Sequence, residues 1–386
     1  MNAIAPPRWD VFCHVVDNYG DIGVAWRLAR QLAAEHGLAV RLWVDDLVSF
    51  ARLRPEIEPM RAAQTLEGVT IRVWPADFPA VEPGDVADVV IEAFACHLPP
   101  PYLAAMAMRP VQPVWLNLEY LSAEDWVSGC HALPSPHPQL PLTKHFFFPG
   151  FTSGTGGLLC EAGLDAARRA FQTSAAAQAA FWARLGVVAR PDETRLSLFA
   201  YETPAFADLV ALWCASETPL RLLLPVGPLW PVLAGFFPGQ TLAPGRCLRR
   251  GQLEIDLLPW LAQDDYDRLL WACDGNFVRG EDSFVRAQWA ARPLVWQAYR
   301  QPEEAQRAKI DAFLARYGAR LPAEVNADLG RFWRAWNGAG DVATAWPEFW
   351  RRREALARHA GRWSAELRGL GDLAANLVDF CRKKSV

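Results

Sequence analysis

The chain has 386 residues, a length that favours two domains of about 150 to 200 residues each. Apolar residues make up 52% of it and charged residues 21%, with mean hydropathy near zero, which excludes a disordered polymer and a bundle of membrane spans. Thirty-nine basic against 43 acidic residues leave a formal charge of −4, without the basic surplus that non-specific nucleic-acid binding requires, so no nucleic-acid partner is expected.

Near the start, Trp9 to Val16 (WDVFCHVV) is a β-prone run that ends at Asp17-Asn18-Tyr19-Gly20-Asp21-Ile22-Gly23. Beyond it Val24, Leu28, Leu32 and Ala33 recur at helical spacing up to a stop at His36-Gly37, so the opening reads as strand, polar turn and helix. The alternation continues through 39–45, 69–74, 87–94, 113–120 and 144–150. Near-continuous apolar strands separated by crossovers predict a parallel sheet covered on both faces, a doubly wound α/β domain. Gly154-Thr155-Gly156-Gly157 and an Ala-rich helical region from Ala162 to Leu185 follow as a junction. A second βα series then places strands at 194–201, 220–226, 253–260, 275–280 and 293–299, and the remainder is helical and rich in Trp. The expected boundaries are 1–160, a junction over 161–185, 186–365, and a C-terminal helix and tail over 366–386 that can pack back on the first domain. Two such halves imply ligand sites at the carboxyl ends of their strands, in a cleft between them.

Several chemistries have little support. Only four of the basic residues are Lys, so no Gly-Lys-Ser/Thr phosphate loop can be written and Schiff-base catalysis has few candidates. The eight cysteines are dispersed without a C-x-x-C pair and read as free thiols of a reducing compartment. Neither they nor the seven histidines form a zinc pattern, and His131 and His137 read as ordinary loop residues. MNAIAPPRWD lacks the features of a secretory leader and no apolar run reaches membrane-spanning length, so a cytoplasmic location is expected.

The chemistry-bearing groups sit where strands end. Asp17 and Asp21 lie four residues apart around Gly20, which suits holding a cationic group or taking its proton, although an Asp at a helix start is as readily a cap or turn-former. Arg279-Gly280-Glu281-Asp282-Ser283 separates a strand from a helix; its free N–H groups and Arg279 suit a diphosphate, and a simple capped helix is the plainer alternative. Leu258-Pro259-Trp260 with Gln263, and Phe199-Ala200-Tyr201-Glu202, could flank a nucleobase or serve only as packing. Gly154 to Gly157 falls short of G-x-G-x-x-G and is either a flexible linker or a backbone N–H loop. The Arg351-Arg352-Arg353 run reads as a solvated helix face.

Taken together, WDVFCHVVDNYGDIGVAWRLARQLA, FFFPGFTSGTGGLL, SLFAYE and LPWLAQDDYDRLLWACDGNFVRGEDSFVRAQWA resemble the EarP family, bacterial protein-arginine rhamnosyltransferases that modify elongation factor P. The resemblance runs from Trp9 to about Phe380. It implies a GT-B fold, two Rossmann-like doubly wound domains facing across a cleft. It further implies an inverting transfer of L-rhamnose from dTDP-β-L-rhamnose to an arginine of elongation factor P, which relieves ribosome stalling at polyproline. By the same resemblance the first domain receives the acceptor protein and the second holds the donor, with no cofactor and no metal. Matched residue by residue, Asp21 is the expected general base, Asp17 its acceptor-positioning partner, and Glu281 essential. Arg279, Asp282 and Ser283 would surround the diphosphate and deoxyribose, Tyr201 would contact phosphate and Gln263 the nucleotide, and Phe199 and Trp260 would flank thymine.

Within the same fold, a nucleotide-sugar transferase with a different acceptor is the alternative. An NAD-linked oxidoreductase is disfavoured by the missing G-x-G-x-x-G, and a non-catalytic clamp on a translation factor would differ only in lacking activity. A complete pair of domains is compatible with a monomer.

Overall fold

The structure is a computed structural model that describes residues 6–16, 19–299 and 305–384. Its described residues divide into two units, one spanning 1–162 with 367–386 and one spanning 163–366.

The first unit opens with β1 (Arg8–Cys13), α1 (Gly20–His36), β2 (Ala39–Val44), α2 (Leu47–Leu53), β3 (Ala63–Leu66) and β4 (Val69–Val73). It continues through β5 (Val89–Ala93), α3 (Pro100–Ala107), β6 (Val114–Leu118), α4 (Val127–Cys130), β7 (Pro134–Pro136) and β8 (Thr143–Phe147). The eight strands form one sheet in the order β3-β4-β2-β1-β5-β6-β8-β7. Beyond Arg8 every residue of β1 is buried, as expected of a central strand covered on both faces. β1 pairs in parallel with β2 on one side and β5 on the other, so the chain winds away from β1 in both directions. Ligands of open α/β sheets gather at such a switch point, and the β1–α1 turn lies there.

The second unit holds α5 (Leu164–Thr173), α6 (Ala175–Leu185), β9 (Thr194–Leu198), α7 (Ala205–Cys214), β10 (Leu220–Pro225), α8 (Trp230–Leu233), β11 (Cys247–Arg250) and β12 (Leu253–Leu258). After these come α9 (Gln263–Ala272), β13 (Gly275–Arg279), α10 (Asp282–Ala290), β14 (Leu294–Gln297), α11 (Ala305–Gly318), α12 (Ala323–Trp336), α13 (Val342–Arg351) and α14 (Arg353–Arg368). Its six-stranded sheet runs β11-β12-β10-β9-β13-β14, and β9 pairs in parallel with both β10 and β13. The second switch point therefore lies between the carboxyl ends of β9 and β13.

Three strands have no counterpart in the sequence reading: β3, β7 and β11. Each is three or four residues long and pairs antiparallel with the strand beside it, β3 and β7 at the two edges of the first sheet and β11 at one edge of the second. Short polar edge strands leave no apolar run to find.

The expected junction over 161–185 is occupied mostly by the α5–α6 hairpin, which packs within the second unit. Gln172 Nε2 donates to the carbonyls of Trp271 and Ala290, both at 3.1 Å. The Gly154–Gly157 stretch is a packed surface of the first unit, where α15 (Leu373–Lys384) returns. A Cβ on Gly156 would lie 2.4 Å from Phe147 and 3.0 Å from Leu373, and Gly157 has φ 75°, where a Cβ would lie 2.8 Å from the carbonyl oxygen of Gly371. Leu373 N–H donates to the Leu158 carbonyl at 3.0 Å, and Asn376 Nδ2 to that of Gly156 at 3.0 Å. Glycine here permits close backbone approach. In the arginine run Arg351 and Arg353 are exposed, as a solvated face requires, while Arg352 between α13 and α14 is half-buried and reaches Glu324 at 2.9 Å and Asp328 at 3.1 Å.

Candidate functional site

In the first unit the chain leaves β1 and turns into α1. The two residues before the turn are pinned by carboxylates: Val15 N–H donates to Asp45 Oδ1 at 3.0 Å and Val16 N–H to Asp21 Oδ2 at 2.9 Å. On the far side, Arg52 Nη1 donates to the Tyr19 hydroxyl at 2.9 Å. Asp17 lies outside the described residues. Asp21 is not the helix cap; Tyr19 occupies that position without a capping side-chain bond, and Asp21 sits in the first turn, 2% exposed.

Burial, followed by the negative charge of Asp21, holds the Cys13 thiol well above its usual range. Burial and the charge of Glu92 raise Cys96 likewise. Both thiols are thereby kept protonated and make poor nucleophiles. Nearby, β5 ends in a left-handed kink at Phe94 (φ 59°) and Ala95 (φ 55°), and Phe94 stacks on Tyr120 beyond β6 at 4.6 Å. Neither ring carried a signal in sequence, because aromatics at strand ends usually pack.

The second unit gathers the remaining candidates at the β9/β13 switch point. The Arg279 guanidinium lies over the rings of Phe199 and Tyr201, at 4.3 and 4.4 Å from their centroids. Gly280 takes φ 58°, a left-handed turn that suits glycine. Glu281 then stands at the N-cap of α10 without a capping side-chain bond. Ser283 is committed locally: its hydroxyl accepts from Arg279 N–H at 3.0 Å and donates to the Arg279 carbonyl. Asp282 Oδ2 accepts from Gln263 Nε2 at 3.3 Å, tying α9 to α10. The turn is further fixed by Trp296 Nε1, which donates to the Gly280 carbonyl at 2.8 Å.

Phe199 and Trp260 meet edge to face, with centroids 6.0 Å apart and planes at 79°. In this arrangement a flat guest would stack on one ring against the edge of the other. Tyr266, which the sequence reading passed over, also meets Phe199 edge to face at 5.8 Å. Burial, as the largest cause, pushes its phenol well above the usual range and keeps it neutral. The sequence thus located Phe199, Tyr201, Trp260, Gln263, Arg279, Asp282 and Ser283 in one cluster. It missed Tyr266 and Gln297, whose Oε1 accepts from Tyr201 N–H at 2.8 Å. A glutamine closing the apolar strand LVWQ was the available signal.

Comparison with known proteins bears on the whole chain. A family model described as Elongation-Factor P (EF-P) rhamnosyltransferase EarP matches residues 9–382. A protein-arginine rhamnosyltransferase of Pseudomonas aeruginosa is 53% identical over 96% of this chain and 98% of its own length. One from Neisseria meningitidis is 34% identical over 97% and 96%. A solved structure giving the structural basis for EarP-mediated arginine glycosylation of translation elongation factor EF-P is 37% identical, covers 98% of this chain and 99% of that one, and superposes with a TM-score of 0.70. The MurG crystal structure from Acinetobacter baumannii, 13% identical with a TM-score of 0.51, shares the fold alone.

Proposed function

Because the chain belongs to the EarP family of EF-P rhamnosyltransferases and has the GT-B fold of glycosyltransferases, we propose that it moves L-rhamnose from dTDP-β-L-rhamnose to an arginine of elongation factor P with inversion. The observation that carries this reading is the family match over 9–382, which takes in both units and every candidate residue.

The chemical difficulty is the acceptor. A guanidinium is protonated at neutral pH and its lone pairs are delocalised, so it is a poor nucleophile. In this reading Asp21, buried at the start of α1, pairs with the acceptor guanidinium, localises its charge and accepts its proton as the nitrogen attacks the anomeric carbon. Asp17 positions the same group. As the N–C bond forms, the bond from the anomeric carbon to the diphosphate oxygen breaks, and its electron pair leaves with dTDP. Arg279 and the first-turn N–H groups of α10 then offset the charge that develops on the leaving group. Gln263 reads the nucleotide and Phe199 offers a stacking face. Glu281, uncapped at the same turn, faces the sugar end of the donor.

The test is the anomeric configuration of the product. Elongation factor P treated with the protein and dTDP-β-L-rhamnose should carry α-rhamnosyl arginine by NMR; a β-linked product would refute inversion, and no transfer would refute the assignment of donor or acceptor.

A further inference from the structure

Gln297 closes β14 in register with Arg279 of β13 and is 4% exposed. Two backbone donors from the switch point converge on it: Tyr201 N–H reaches its side-chain Oε1 at 2.8 Å, and Gly280 N–H its main-chain carbonyl at 3.3 Å. Because an N–H can be met only by the amide oxygen, the Tyr201 contact fixes which way round the carboxamide lies. Nε2 therefore points away from Tyr201 N. Among the described residues nothing accepts a hydrogen bond from Nε2, and the atom is not sealed from solvent.

Polar groups at such a nearly buried site are usually paired, so the two N–H donors left open beside the Tyr201 and Gly280 turns are available to an acceptor brought by a ligand. Arg279, the strand partner of Gln297, adds positive charge next to it, and Gly280 leads into the N-terminus of α10. Cation, helix start and an open amide donor together match an anionic, oxygen-rich group. Resting on the donor reading above, we propose that Gln297 Nε2 donates a hydrogen bond to a diphosphate oxygen of the nucleotide sugar, making Gln297 a donor-binding residue.

Gln297→Glu separates the two functions of the side chain. One carboxylate oxygen still accepts from Tyr201 N–H, while the NH2 that faces the ligand becomes a second, negatively charged oxygen. Calorimetry with dTDP and with dTDP-β-L-rhamnose should show both weakened about tenfold or more, the loss of one hydrogen bond to a charged group. Lowering the pH should restore the variant toward wild type as the carboxylate protonates, a response that a purely structural role would not give. If the variant fails to fold, the side-chain 15N–H2 resonances of Gln297 in the wild-type protein serve instead, and should shift when dTDP is added. Wild-type affinity in Gln297→Glu, or resonances unmoved by saturating dTDP, would overturn the inference alone. Weakening confined to dTDP-rhamnose would overturn the diphosphate as partner. Failure of the wild-type protein to bind dTDP at all would overturn the donor reading and the inference with it.

Discussion

Arg279→Met isolates the charge of Arg279 from its packing. The guanidinium rests on Phe199 at 4.3 Å and Tyr201 at 4.4 Å, and each cation–π contact at a partly solvated site contributes about 0.5–1 kcal/mol. Methionine keeps an unbranched stem over the same rings and regains about 0.3–1.5 kcal/mol through its sulfur. The second partly offsets the first, so folding stability should fall by no more than about 2 kcal/mol. Binding does not offset: the proposed contacts from Arg279 to the diphosphate are hydrogen bonds between charged groups, contributing about 1.5–3 kcal/mol. That converts to a dTDP affinity lower by about 10- to 150-fold, with a weaker dependence on salt than the wild-type protein shows. Calorimetric titration with dTDP at low and high ionic strength, beside a thermal melt, reads both quantities. Wild-type dTDP affinity in a folded variant would refute the role of Arg279 at the diphosphate.

Two further predictions concern the framework. Gly156→Ala places a methyl carbon 2.4 Å from Phe147, a ring 1% exposed and held against His131 and Phe380. The ring has little room to yield, so chemical denaturation should show a loss of about 1–3 kcal/mol, and unchanged stability would mean that α15 does not dock tightly there. Burial, as the leading cause, depresses His131, His145 and His359 below the usual 6.5. A depressed histidine binds more protons unfolded than folded, so its contribution is fully present above pH 6.5 and is lost as pH falls through the folded value. The melting temperature should therefore drop below pH 6.5. Part of that drop should vanish in His359→Gln, since His359 Nε2 donates to the Tyr317 carbonyl at 2.7 Å and, among the described residues, nothing accepts a hydrogen bond from a protonated Nδ1. An identical pH profile in that variant would remove His359 as a source.

Both sheets were legible in sequence for one physical reason. A strand covered on two faces must be largely apolar, and runs such as LRLLLP and VVIEA, each with a single charged residue that is paired in the fold, carry that signature. The sites were legible because strand ends in doubly wound sheets concentrate polar and glycine residues, as at Gly280 and Asp21. What escaped depended on partners distant in the chain. The Gly154–Gly157 run looks like a linker until α15, more than 200 residues later, is laid against it. Trp260 and Phe199 announce an aromatic site but not the angle between their planes. Gln297 looked like the end of an apolar strand until Tyr201 was found bonded to it.

Taking the acceptor's proton is the role proposed for Asp21. Its most direct test is the intact mass of elongation factor P after a single turnover with dTDP-rhamnose, comparing the wild-type protein with Asp21→Asn. Asparagine can still accept from Val16 N–H, so the turn held at 2.9 Å should survive and dTDP affinity should be unchanged. The wild-type protein should add a deoxyhexose to an arginine, and the variant should do so at a rate lower by about 10²–10⁴-fold. Transfer by Asp21→Asn at the wild-type rate would contradict that role.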